Sequence, residues 1–282
     1  MAVMPEGSIV GGWIAPHGVV SDMPEERLRL VPETDRAMRL AAREIVRRDP
    51  EAVILIAPHG FRAADANTVS LCYRNACELR TWYPWRSDEM VVPGDPELGQ
   101  AILTEAAVSD IPALGLIYGA TSEPVYPMDW SITAPLSYLL NAGYTGSLIP
   151  VTFSQLPFRQ EWRFGEALAR AIGTSGHRIA VVASSDLSHV HSAEGPYGQK
   201  PIAAHFDRFI EETVRSGNLE RLLGADPAWV DEAAQDGLRS IAILGGALQS
   251  TRLRLEVLAY EVLVYFGMLT ALAIERGPVG IT

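Results

Sequence analysis

Cysteine is scarce in this chain, with two in 282 residues, Cys72 and Cys77. Two thiols in a chain this long, without an export signal, read as reduced packing residues and not as a disulfide, a nucleophile or a ligand pair. Positive charge is also in deficit: 23 Lys and Arg stand against 34 Asp and Glu, for a net charge of −11. A field of that sign repels a phosphate backbone and an anionic lipid surface, so neither nucleic acid nor membrane is an expected partner. No apolar run reaches the roughly 20 residues that spanning a bilayer requires. The opening MAVMPEGSIVGG has neither the basic stretch nor the apolar core of a signal peptide, and a cytoplasmic protein is expected. GxGxxG and P-loop sequences are absent as well, which argues against a dinucleotide or nucleotide cofactor. With no low-complexity linker and no solenoid-length repeat, residues 1–282 read as one domain.

What is present is an alternation. Short apolar runs bounded by turn residues (SIVGGWIA, AVILIA, TVSLCY, ALGLIYGA, SLIPVTF, RIAVVA, RLEVLAYEVLV) have the length and β-branched content of buried strands. Amphipathic stretches lie between them. From Pro32 to Arg48, residues Met38, Ala41, Ala42 and Ile45 share one face; similar patterns run from Pro201 to Ser216 and from Leu238 to Leu248. Strand and helix in turn predict α/β architecture.

Chemistry concentrates after the strands. The tetrapeptide APHG occurs twice, placing His17 and His59 just beyond the carboxyl ends of two apolar runs, the edge where ligand sites of open α/β sheets gather. Proline keeps the preceding alanine out of helical geometry and glycine permits a tight turn, so two similar loops can aim two imidazoles at one point. The plainer alternative is two loop histidines bonded to backbone. A third strand, RIAVVA, runs into SSDLSHVHS, which brings Ser184, Ser185, Asp186, Ser188, His189 and His191 to the same edge. His189 is the candidate proton carrier, since histidine titrates near neutrality; alternatively it orders its loop with Asp186 as partner. His177 and His205 read as structural or surface residues. Near the C-terminus, Glu261 sits in the apolar run LAYEVLVYFGML, where a carboxylate needs a metal or an ionic partner. Two imidazoles and one carboxylate would leave an iron(II) ion about three open positions on one face.

Taken together, APHG at His17, APHG at His59, MDWSITAPLSYL from Met128, IPVTFS from Ile149, SSDLSH ending at His189 and the C-terminal YEVLVYFGML resemble the class III extradiol dioxygenases, the superfamily named for the protocatechuate 4,5-dioxygenase catalytic subunit. The resemblance covers nearly the whole chain. It implies a single-domain α/β sandwich with a central mixed β-sheet flanked by helices and an active site at the strand carboxyl ends. It implies Fe(2+) held by His17, His59 and Glu261, with His189 as acid and base. It further implies a small aromatic substrate, a catechol or 2-aminophenol, opened with both atoms of O2, in a homodimer or larger homo-oligomer that in some relatives carries a small accessory subunit. One departure matters: many members carry Asp-His or Glu-His where this chain has Asp129-Trp130, and tryptophan exchanges no proton at neutral pH.

Further pocket candidates are Ser185, Asp186 and His191, with Tyr260 and Tyr126 weaker. The segment LRTWYPWRSDE carries Trp82, Tyr83, Trp85, Arg80 and Arg86, and reads either as an aromatic wall with a carboxylate anchor or as a subunit contact. Two rival functions share these residues: a zinc hydrolase using the same ligands, and a non-catalytic scaffold like the Memo branch, which usually has cysteine at the third ligand position.

Overall fold

Every residue of the run Ala52–Ala57 is buried, which is the signature of a strand covered on both faces and explains why it reads as continuous apolar sequence. The computed structural model describes residues 6–119 and 122–275. Its strands are Ser8–Ala15 (β1), Ala52–Ala57 (β2), Asn67–Ser70 (β3), Arg74–Glu78 (β4), Glu89–Pro93 (β5), Ala113–Leu116 (β6), Val125–Pro127 (β7), Ser147–Thr152 (β8), Arg178–Ser184 (β9), Leu255–Leu263 (β10) and Phe266–Ile274 (β11). Its helices are Glu25–Leu28 (α1), Pro32–Val46 (α2), Pro96–Val108 (α3), Trp130–Asn141 (α4), Phe158–Ser175 (α5), Ile202–Ser216 (α6), Pro227–Glu232 (α7) and Leu238–Leu248 (α8).

Eight strands form one mixed sheet in the order β10-β11-β1-β9-β2-β8-β3-β6, and β5-β4-β7 form a second, small sheet. At the centre, β1, β9, β2 and β8 are mutually parallel, so their carboxyl ends share one edge. Ala15 pairs with Ser184 and Ile56 with Ala183, which brings the loops after β1, β9 and β2 side by side. Each face of the sheet has its own core. Ile14, Ile54 and Ile56 join Phe164, Phe206 and Leu244 on one side; Trp13, Val53 and Leu55 join Met38, Tyr138 and Met268 on the other. Successive residues of β1 and β2 thus serve opposite layers, the period of two that a pleated strand imposes.

The expected single α/β sandwich with a central mixed sheet is what is observed, with the small second sheet added. The helices read from apolar periodicity are there: α2 begins at Pro32, α6 runs Ile202–Ser216, and α8 runs Leu238–Leu248. The C-terminal apolar stretch divides into the antiparallel pair β10 and β11, turning at Val264 and Tyr265.

Candidate metal centre

The loops that follow β1 and β2 carry His17 and His59, each two residues beyond its strand. Their glycines have separate reasons. Gly60 adopts φ +83°, in the left-handed region, whereas a Cβ on Gly18 would lie 2.3 Å from the ring of Phe266. The two imidazole rings meet edge to face with centroids 5.3 Å apart.

Between them lies a carboxylate that the sequence had not singled out. Asp236 precedes α8, and its Oδ2 stands 3.3 Å from His17 Nε2 and 3.2 Å from His59 Nε2. Donor atoms about 2.1 Å from one ion and at right angles are roughly 3 Å apart, so this spacing suits a shared cation. Among the described residues, His17, His59 and Asp236 form the one group of three such side chains whose ligand atoms lie within 4.8 Å of one another. Two of the three side chains are held from behind. The Ser184 hydroxyl donates to the Ser131 carbonyl (2.6 Å), so at 3.0 Å from His17 Nδ1 it must accept, which puts the proton on Nδ1 and leaves the Nε2 lone pair free. Asp236 Oδ1 accepts from the Asp186 amide (3.1 Å), and Asp186 Oδ1 accepts from the His17 amide (3.1 Å). The loops after β1 and β9 and the segment before α8 are thereby cross-tied.

Charge follows the same geometry. Burial pulls the His17 imidazole down, but the carboxylates of Asp186 and Asp236 more than offset it and raise its pKa to about 9. Burial raises the Asp186 carboxyl, while for Asp236 the positive His17 and the hydrogen bonds from both histidines outweigh burial and hold the carboxyl low. Two carboxylates beside His17 place a surplus of negative charge at the point where a divalent cation would sit.

Glu261, expected as the third ligand, is elsewhere: its Oε2 accepts from the Thr34 amide at 2.6 Å. The correction has a physical reason. Val31, at the N-cap of α2, offers no capping side chain, and the Glu261 carboxylate reaches across from β10 to satisfy the third amide of that helix.

His189 lines the cleft beside this group, a space of about 520 Å³ that also borders Trp130, Tyr197, Tyr265 and Phe266. Its Nδ1 donates to the Leu187 carbonyl (2.9 Å), and its ring stacks on Phe266 with centroids 5.5 Å apart. Nε2 is thus the acceptor nitrogen. Trp130 packs on His59 at 4.4 Å and is backed by Trp82 at 4.7 Å, so the residue that departs from the usual histidine forms an aromatic wall.

Of the remaining candidates, Asp186 lines the cleft, but Asp129, Ser185, His191 and Tyr260 do not. Asp129 caps α4 through Ser131. Ser185 lies against Gly237, where a Cβ would come within 2.1 Å of its Oγ. His191 Nε2 and the Tyr260 hydroxyl both bond Asp207 Oδ2 at 2.7 Å, on the far side of the loop. Arg86 pairs with Asp88 and Asp22 and does not line the cleft, nor does Arg80. His177 and His205 are exposed, as anticipated. Asp236, Tyr265 and Phe266 went unnoticed: Asp236 lies in the polar run AAQDG, which carries no signal to separate it from an ordinary helix-leading loop.

Comparison with known proteins finds relatives along most of the chain. A Clostridium acetobutylicum protein, CA_C1420, is 27% identical over 262 residues; the match covers 90% of this chain and 55% of that protein, so the chain spans about half of its length. The beta subunit of a Pseudomonas 2-aminophenol 1,6-dioxygenase is 22% identical, covering 94% of this chain and 93% of its own. The Escherichia coli 3,4-dihydroxyphenylacetate 2,3-dioxygenase is 26% identical over 152 residues, covering 51% of this chain and 53% of that one. The crystal structure of an uncharacterized protein, JW3007, from Escherichia coli K12 superposes with a TM-score of 0.62 at 16% identity, covering 94% of this chain and all of the other, which establishes the likeness of fold. No helix among the described residues is long and apolar enough to cross a membrane. Residues 14–270 match the family of the catalytic LigB subunit of aromatic ring-opening dioxygenase, and the chain belongs to that family.

Proposed function

We propose that this protein is a non-haem iron(II) extradiol dioxygenase that opens a catechol or 2-aminophenol ring, with residues 1–282 acting as one catalytic domain. The observation that carries the reading is the convergence of His17, His59 and Asp236 at the strand carboxyl ends of a chain of this family. Two imidazoles and one carboxylate are the donor set of iron(II) oxygenases with open positions on one face. Bound there, iron(II) would accept the two adjacent heteroatoms of the ring and dioxygen, and provide the electronic path between them.

The chain's own residues supply the rest. His17 and His59 bind as neutral imidazoles, with Ser184 keeping the His17 proton on Nδ1. His189 takes a substrate hydroxyl proton on Nε2 and returns it as the ring opens, while the Leu187 carbonyl holds its other nitrogen protonated. Trp130 and Phe266 both line the cleft with apolar surface, which favours a flat aromatic ring over water. Both oxygen atoms end in the product, so no external reductant is needed. Association with further subunits is part of the reading, supported by the name of the Pseudomonas relative, which is a beta subunit.

The test is anaerobic reconstitution with iron(II), followed by oxygen uptake on a panel of catechols and 2-aminophenols. One O2 consumed per ring opened, with both atoms in the product, is expected. No turnover across the panel, or stoichiometric zinc with oxygen-independent hydrolysis, would overturn the reading.

A further inference from the structure

A second chamber, of about 270 Å³, adjoins the metal cleft and shares Arg62, Ala234, Gln235 and Asp236 with it. Arg62 and Arg239 both border it, and neither guanidinium has a hydrogen bond or an ion pair with any described residue. Each is instead laid over an aromatic ring: Arg62 lies 5.3 Å from the centroid of Phe153, and Arg239 4.8 Å from that of Phe158. Stacking of this kind orients a planar cation and leaves its in-plane N–H donors for another partner.

Three features set Arg239 apart from an incidental surface arginine. Its Nε is buried without a partner, a state that ordinarily costs stability. It occupies the first turn of α8, where the helix dipole disfavours a cation. Burial and the nearby charge of Arg62 both lower its pKa, with Glu161 and Asp231 acting in the opposite sense. Two cations are held close together here, with Glu161 and Asp231 as the nearby carboxylates but neither in hydrogen-bond or ion-pair contact with them.

Two carboxylates also border the chamber. Asp236 has its Oδ1 engaged by the Asp186 amide and its Oδ2 turned to His17 and His59, and Asp231 is exposed. Gln235 accepts the Leu238 amide through Oε1, which leaves its NH2 group free to donate into the chamber. Asp231 is a carboxylate without a hydrogen bond, but it is exposed; the other uncommitted polar groups named here, Arg62, Arg239 and the Gln235 amide nitrogen, are donors.

We propose that Arg62 and Arg239 form an anion-binding chamber that recognises a carboxylate carried on the side arm of the aromatic substrate while the ring occupies the metal cleft. This rests on the function proposed above, and it replaces the carboxylate anchor expected at Arg80 and Arg86. The arm passes Asp236 at the junction of the two spaces, so an acid on a short flexible chain fits better than one placed directly on the ring.

The experiment is calorimetric binding of 3,4-dihydroxyphenylacetate, its uncharged amide and acetate to the full chain, metal-free and iron(II)-loaded, alongside oxygen uptake with catechol. The acid is expected to bind about tenfold or more tightly than the amide, as a charge-assisted pair requires. Arg62→Gln and Arg239→Gln should each bring that ratio close to one, and Arg239→Lys should retain part of it. Arg62 is exposed, so its variant serves if Arg239→Gln lowers the unfolding temperature. Equal binding of acid and amide, a preference that survives both glutamine variants, or acetate binding as tightly as the acid would each overturn the assignment. Catechol turnover without an acid preference would sink the chamber and leave the dioxygenase reading standing. An arginine-dependent acid preference with no oxygen uptake on any ring would do the reverse.

Discussion

The Ser184 hydroxyl accepts the Nδ1 proton of His17 and hands its own proton to the Ser131 carbonyl, so a residue at the end of one strand sets the tautomer of a histidine beyond its neighbour. The arrangement works because β1 and β9 are parallel and Ala15 is level with Ser184. Ser184→Ala removes the acceptor without leaving a charge behind. Outer-shell partners of this kind are worth about 10- to 100-fold in metal affinity. The variant is expected to fold normally and to lose iron(II) affinity in that range, as read by competition with a chelator.

Asp236 and Glu261 give opposite expectations. Asp236→Ala should abolish stoichiometric iron(II) binding, because it removes the one carboxylate that both histidines face. Glu261→Ala should keep the metal and lose about 1–2 kcal/mol of stability, the cost of an uncapped helix amide. Metal analysis and urea unfolding of the pair separate the two roles. Loss of metal in Glu261→Ala with metal retained in Asp236→Ala would reverse the assignment.

His189 is expected to matter for turnover and not for metal content. General acid and base groups contribute about 10²- to 10⁴-fold, so His189→Ala should reduce kcat by that order with iron(II) stoichiometry unchanged. A non-catalytic scaffold would be indifferent to the change. An unaltered kcat would remove His189 from the proton path.

Glu161 offers a pH test away from the metal. Its carboxylate is fully buried, bonded by Asn67 Nδ2 (2.8 Å) and Ser154 Oγ (3.1 Å), and burial pushes its pKa up from 4.5 to about 7 in spite of those bonds. With the folded value above the unfolded one, the folded chain holds the extra proton between pH 4.5 and 7. This group's contribution is therefore largest below pH 4.5 and is lost as pH rises through 7. The swing is on the order of 3 kcal/mol. Glu161→Gln should flatten the fall in stability between pH 5 and pH 8 relative to the parent chain, and an unchanged slope would contradict the shift.

The strands and the longer helices were legible because burial on two faces leaves an apolar run and burial on one leaves a 3.6-residue period, and both marks are local. The APHG loops were legible for a related reason: each follows such a run, and a parallel sheet delivers the ends of its strands to one edge. The carboxylate proposed as the third ligand left no mark of that kind. On β10, adjacent residues face opposite layers, with Tyr260 meeting Asp207 of α6 and Glu261 capping α2, so a carboxylate in an apolar strand had a partner no pattern could name. Asp236 sits in an ordinary polar run, and it reaches the histidines because α8 packs over β9, β2 and β1 and delivers its leading loop to the sheet edge. Period and composition report which face of an element is buried; which distant side chain meets which depends on how whole elements are docked, a relationship spread across the chain and written in no single segment.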